Sequence, residues 1–191
     1  MNTIIRKGIL GIAGLAVAGG VIAGPVSEAQ ASPAESKMAA VTQTGTSMSV
    51  ASRAHGPQSR IHLNKTQTRN AKAIITTTKK SGMGQRAAVI AVATAMQESK
   101  LQNLGHLGSR NDHDSLGLFQ QRPSSGWGTP AQVTNPSYST RAFLKGLRQV
   151  DGWKHMPLTE AAQTVQVSAY PDAYAQWERQ STGLVATYWN S

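Results

Sequence analysis

From residue 66 onward the chain predicts an all-α domain with little or no sheet, and three observations carry that reading. Lys79 and Lys80 followed by Gly82 mark the end of a first helix, because cations in a last turn and a glycine just past it both suit the carbonyl end. The run Ala87 to Met96 is apolar nearly all round, as expected of a central helix with no face toward water. Thr129-Pro130 and Asn135-Pro136 each place a cap residue before a proline at a first helical position.

Taken in order, the chain divides into three parts. Residues 1–31 read as a secretory signal peptide. Arg6 and Lys7 supply the positive start, an apolar stretch runs from Gly8 to Ala23, and Ala29-Gln30-Ala31 offers small residues for cleavage. A membrane anchor is the competing reading, but those roughly 16 residues fall short of the ~20 needed to span a bilayer, and no later segment offers a span. Residues 32–65 are rich in Ser, Thr, Ala and Gly with little apolar periodicity, so they read as a flexible low-complexity linker.

Residues 66–191 form the helical domain. Thr68-Arg69-Asn70 leads into Ala71, Ala73, Ile74 and Ile75, and this helix stops at Gly82. The apolar helix follows from about Gln85 to Leu101. A polar loop from Gln102 to Gly128 has no helical period. After the two proline-led starts, the second helix continues to about Val150 through Tyr138, Ala142, Phe143 and Leu147. Thr159-Glu160 opens another to about Ser168, and Pro171 leads a last one through Tyr174 and Trp177 toward Trp189. Five or six helices around one apolar helix are expected.

Composition narrows the chemistry. With no cysteine, the chain has neither disulfides, nor a thiol nucleophile, nor a cysteine metal site. The formal net charge is +10, and losing Arg6, Lys7 and Glu28 with the signal leaves +9. Such a protein suits an anionic cell wall, membrane face or nucleic acid. Its basic residues spread along the chain instead of clustering with aromatics, which argues against nucleic acid. The five histidines show no ligand spacing, so neither metal nor cofactor is expected.

Carboxylates are few after residue 66, and Glu98 differs from the rest. Asp151 and Glu160 fall near helix ends, Asp172 in a first turn, Glu178 on an outer face, and Asp112 and Asp114 in the loop. Glu98 ends the most apolar helix, and Ala95, Thr94 and Ala91, one and two turns before it, are small. A carboxyl withdrawn from water has its pKa raised, the condition for a general acid near neutrality. On spacing alone, Glu98 reads equally well as the first exposed residue where the helix leaves the core.

The ordered set around it is more specific. Gln97-Glu98-Ser99 is followed by Asp114-Ser115-Leu116-Gly117-Leu118-Phe119-Gln120-Gln121, then Arg122-Pro123 and Gly126-Trp127-Gly128. Later comes Ala169-Tyr170-Pro171-Asp172-Ala173-Tyr174. This resembles the lysozyme-like, soluble lytic transglycosylase superfamily, in which a Glu-Ser pair ends a buried helix and a Gly-Leu-Met-Gln segment follows across a cleft. The fuller run also looks like an exported actinobacterial group of that superfamily. Phe119 stands where Met is usual, and the resemblance covers about Gly84 to Glu178.

The resemblance implies a lysozyme-like catalytic domain in a secreted, cell-wall-associated, monomeric enzyme. It would cut the β-1,4 bond between N-acetylmuramic acid and N-acetylglucosamine in peptidoglycan. Glu98 would protonate the leaving oxygen and then serve as base, on the sugar's C6 hydroxyl in a lytic transglycosylase or on water in a muramidase. Asp114 is a possible second carboxylate, with Asp112 the other loop candidate; both read at least as well as backbone caps or partners of Arg110 or Arg122. Ser99, Gly117, Leu118, Gln120, Gln121, Trp127 and Tyr170 would bind substrate, Tyr170 matching the superfamily tyrosine that holds the catalytic carboxyl, although Pro171 replaces the Asn expected next. A wall-binding protein that keeps the fold without turnover is the alternative.

Overall fold

Helix α2 (Gln85–Ser99) is the axis on which the other long helices pack, as its sequence requires. Every residue from Ala87 to Met96 is buried, and five alanines among them let neighbouring backbones come close. The computed structural model describes residues 56–191; the expected signal and most of the expected linker lie outside the described residues. The described chain is helical, with two isolated antiparallel bridges, Leu104 with Gly117 and Leu116 with Gln121.

Helix α1 (Lys65–Lys80) begins earlier than expected, because Asn64 and Gln67 form a reciprocal capping box, each side chain accepting from the other's backbone N–H at 2.9 Å. The expected linker is corrected at its C-terminal end. Ser59 N–H donates to Gln176 O (2.8 Å), and the Gln180 amide brackets Ile61, accepting from its N–H (2.9 Å) and donating to its carbonyl (2.7 Å). Ile61 and Leu63 pack on the core, so the alternation around His62 is that of an extended strip with one apolar face.

Helices α3 (Pro130–Val133) and α4 (Pro136–Leu147) start at the two cap-proline pairs, with Thr129 and Asn135 side chains accepting from the first-turn N–H groups. α4 ends three residues before Val150, the expected end. Helix α5 (Leu158–Gln166) stops where Val167 turns left-handed, at φ 52°. The last helix departs most from expectation. Pro171 opens a turn, a 3-10 turn follows at Ala175–Trp177, and α6 (Glu178–Tyr188) begins only at Glu178. Glu178 is 3% exposed and pairs with Arg86 at 2.9 Å, and Arg86 also donates to Met156 O (2.9 Å). That pair ties the starts of α2 and α6 together, so Glu178 is not the outer-face residue it looked to be.

Candidate functional site

The site is built where α2 ends. Lys100 and Leu101 both take the left-handed conformation, at φ 53° and 61°, although neither is glycine. Two amides from α1 hold that reversal: Gln67 Nε2 donates to Lys100 O and Asn70 Nδ2 to Leu101 O, each at 2.8 Å. The chain therefore turns sharply just past Glu98, which stays on the last helical turn, half-buried.

The Glu98 carboxyl accepts a 2.6 Å hydrogen bond at Oε1 from the Tyr174 hydroxyl. Tyr174 is fully buried, and desolvation with the adjacent carboxyl pushes its pKa far up, so it remains a donor. Burial raises the Glu98 pKa above the ordinary carboxyl value. The Tyr174 hydrogen bond, the Gln166 amide and the Lys100 ammonium oppose that shift without cancelling it, and the Asp112 charge adds to it. Burial in turn lowers the Lys100 pKa, against the pull of Glu98; its ammonium lies 4.7 Å from the centre of the Trp177 ring. Gln166 Nε2 donates to Phe119 O (2.7 Å), while Gln166 Oε1 is buried with no donor.

The Gly117–Gln121 segment folds into a tight hairpin beside α2. Gly117 has φ 76°, and a Cβ there would stand 2.2 Å from Val133 O, so only glycine fits. Ser99 is 5% exposed and its hydroxyl lies 2.8 Å from Leu118 O and 3.0 Å from Ala95 O. It staples the helix end to the hairpin and does not face outward. Leu118 and Gln121 are likewise buried, Gln121 donating to Ser139 O (3.1 Å), and the Gly117 carbonyl accepts from Gln120 Nε2 (3.0 Å). Of the expected sugar-contacting set, Gln120 and Trp127 are half-buried and Tyr170 is exposed.

One expectation is corrected here, and Asp114 takes the structural role that was the favoured alternative. The tyrosine that holds Glu98 is Tyr174, while Tyr170, four residues earlier, is 72% exposed. Tyr174 and Trp177 share a three-residue spacing and both are buried, and that spacing was the available signal. Asp114, the possible second carboxylate, accepts from the Ser124 N–H and hydroxyl (both 2.7 Å) and from Arg122 Nε (3.3 Å). These bonds, the Ser124 N–H foremost, hold its pKa at about 2, which makes it a poor base. Asp112 is exposed, paired with His113 at 2.7 Å, and is the carboxylate whose charge Glu98 feels.

Among the described residues no three His, Asp or Glu side chains gather to hold a metal ion, and no helix is long and apolar enough to cross a membrane. No protein-family model matches the chain. No curated protein matches it either.

Proposed function

We propose that this chain is a secreted enzyme that cuts the β-1,4 bond between N-acetylmuramic acid and N-acetylglucosamine in peptidoglycan, with Glu98 as general acid. The observation that carries the reading is the half-buried Glu98 carboxyl, its pKa raised by burial, fixed by Tyr174 at 2.6 Å. Desolvation makes the carboxyl hold its proton to higher pH than an ordinary glutamate, and the tyrosine steadies the carboxylate that remains once that proton has gone to the leaving oxygen. Resemblance of the Glu98-Ser99 and Gly117–Gln121 segments to lysozyme-like transglycosylases supplies the substrate.

The commitments of the two loop carboxylates favour transglycosylase chemistry over hydrolysis. Two-carboxylate glycosidases need a free second group roughly 5–10 Å away. Asp114 is committed to Ser124 and Arg122, and Asp112 is exposed and paired with His113. With neither loop carboxylate free for that role, Glu98 acts twice: it protonates the glycosidic oxygen, then takes the proton of the muramic acid C6 hydroxyl as that oxygen closes on C1. The product is a 1,6-anhydro sugar. Leu107, Val167 and Tyr170, the exposed large apolar side chains among the described residues, belong to the two segments that carry Asp112, Gln166 and Tyr174, and offer apolar surface to sugar faces.

The test is digestion of purified peptidoglycan by wild type and by Glu98→Gln, with mass spectrometry of the soluble products. Anhydro ends released by the wild type, and a loss of about 10²–10⁴-fold in the variant, are expected for a general acid. Reducing ends instead would assign hydrolysis. Equal binding with no release by either protein would assign the wall-binding alternative.

A further inference from the structure

Spread evenly in sequence, the basic residues are not spread in space. α1 and α4 pack side by side, and neither carries an acidic residue. A groove of about 470 Å³ on their surface is lined by Arg69, Lys72 and Lys80 of α1 and Arg141 of α4, with the Thr77 and Ser137 hydroxyls between them. These hydroxyls lie 3.3 Å apart. None of the ion pairs among the described residues uses any of the four cations. Arg69 donates to the Thr66 hydroxyl (3.0 Å) and the Lys72 ammonium lies 4.5 Å from the centre of the Tyr188 ring, and both partners are neutral. Four like charges held along one concavity repel one another, and an anionic ligand relieves that repulsion.

We propose that this groove binds a phosphodiester polymer, an anionic wall polymer of polyol or sugar phosphates. Arg69 and Lys80 are eleven residues apart on one helix, about 16 Å at the helical rise, wider than a single phosphate. No aromatic side chain lines the groove itself; Tyr188 and Trp189 line the adjoining surface that shares Thr76 and Lys80, so single-stranded DNA, whose bases could stack there, is the competitor to test. The groove's only apolar lining residue is Ala73, so it offers a lipid surface nothing to insert. Glu98, Gln166 and Tyr174 lie outside it, which leaves the catalytic carboxyl free while the polymer is held. The charge chemistry stands alone; choosing the wall as the polymer's source rests on the muralytic reading of Glu98.

The experiment measures binding of labelled poly(glycerol phosphate) to the full chain by fluorescence anisotropy, at low and near-physiological salt. Arg69→Gln/Arg141→Gln is compared with Lys154→Gln/Arg179→Gln, which removes the same charge elsewhere. Lys72→Gln/Lys80→Gln repeats the groove test should the first pair fail to fold by circular dichroism. The groove variants are expected to bind about tenfold more weakly, with a salt dependence shallower by about 1.4 units, since each of the two lost phosphate contacts lowers that slope by roughly 0.7. The control pair is expected to stay near wild type. Absent wild-type binding, an equal loss in the control, or tighter binding of single-stranded DNA of matched charge would each overturn the proposal. Digestion of polymer-free peptidoglycan, run in parallel, separates the two readings. Binding without digestion sinks the muralytic reading alone, and digestion without binding sinks the groove alone.

Discussion

Glu98 and Tyr174 act as one unit, because the tyrosine hydroxyl bonds the charged carboxylate and opposes what burial does to it. Tyr174→Phe removes a donor to the charged form, so the Glu98 pKa rises further. The alkaline limb of kcat/KM, where the acid loses its proton, is then expected to move up by about one pH unit, a hydrogen bond to a charged group being worth roughly 1.5–3 kcal/mol. A pH–rate profile checks this; an unmoved limb would mean that the tyrosine serves packing only. Glu98 stands out in the sequence because it ends the most apolar helix, although spacing alone reads it equally well as the first exposed residue; its half-burial and its bond to Tyr174 emerge only in the fold. Its tyrosine was misplaced by four residues, since motif matching favoured Tyr170 while the buried spacing of Tyr174 with Trp177 pointed to the right ring. Gln166 and Lys100 were not legible at all, because their roles depend on where α5 and the reversal after α2 lie in space.

At the scale of elements, the end of α2 and the 116–121 hairpin form a joint, and Ser99 is its staple. Ser99→Ala breaks the bond to Leu118 O and is expected to cost about 1 kcal/mol in urea unfolding. Because the hydroxyl points inward, kcat/KM should stay within about threefold of wild type. A large rise in KM at unchanged stability would instead make Ser99 a sugar contact. Helix starts were readable where chemistry is local, as at Thr129-Pro130 and Asn135-Pro136. Other boundaries depended on distant partners. Residues 59–63 are held by Gln176 and Gln180, over a hundred positions later, and α6 begins at Glu178, whose partner Arg86 lies on α2.

For the molecule as a whole, the pair of buried Glu178 with the partly exposed Arg86 is one of the polar ties between α2 and α6. Glu178→Gln leaves the partly exposed Arg86 guanidinium without its counter-charge and is expected to destabilise the domain by about 1–3 kcal/mol. The double change Arg86→Met/Glu178→Leu should recover most of that loss, since apolar packing commonly replaces a buried pair at little cost; thermal unfolding of the three proteins checks both statements. The helical class was plain from apolar periodicity and caps, whereas the gathering of cations on α1 and α4 emerged only once the helices were packed. The functional account depends on Glu98 holding its proton longer than an ordinary glutamate. Carbon-13 NMR titration of its carboxyl in the full chain, assigned with Glu98→Gln, measures this directly. A midpoint above the roughly 4.3 of a free glutamate side chain is expected. A midpoint at or below that value would contradict it.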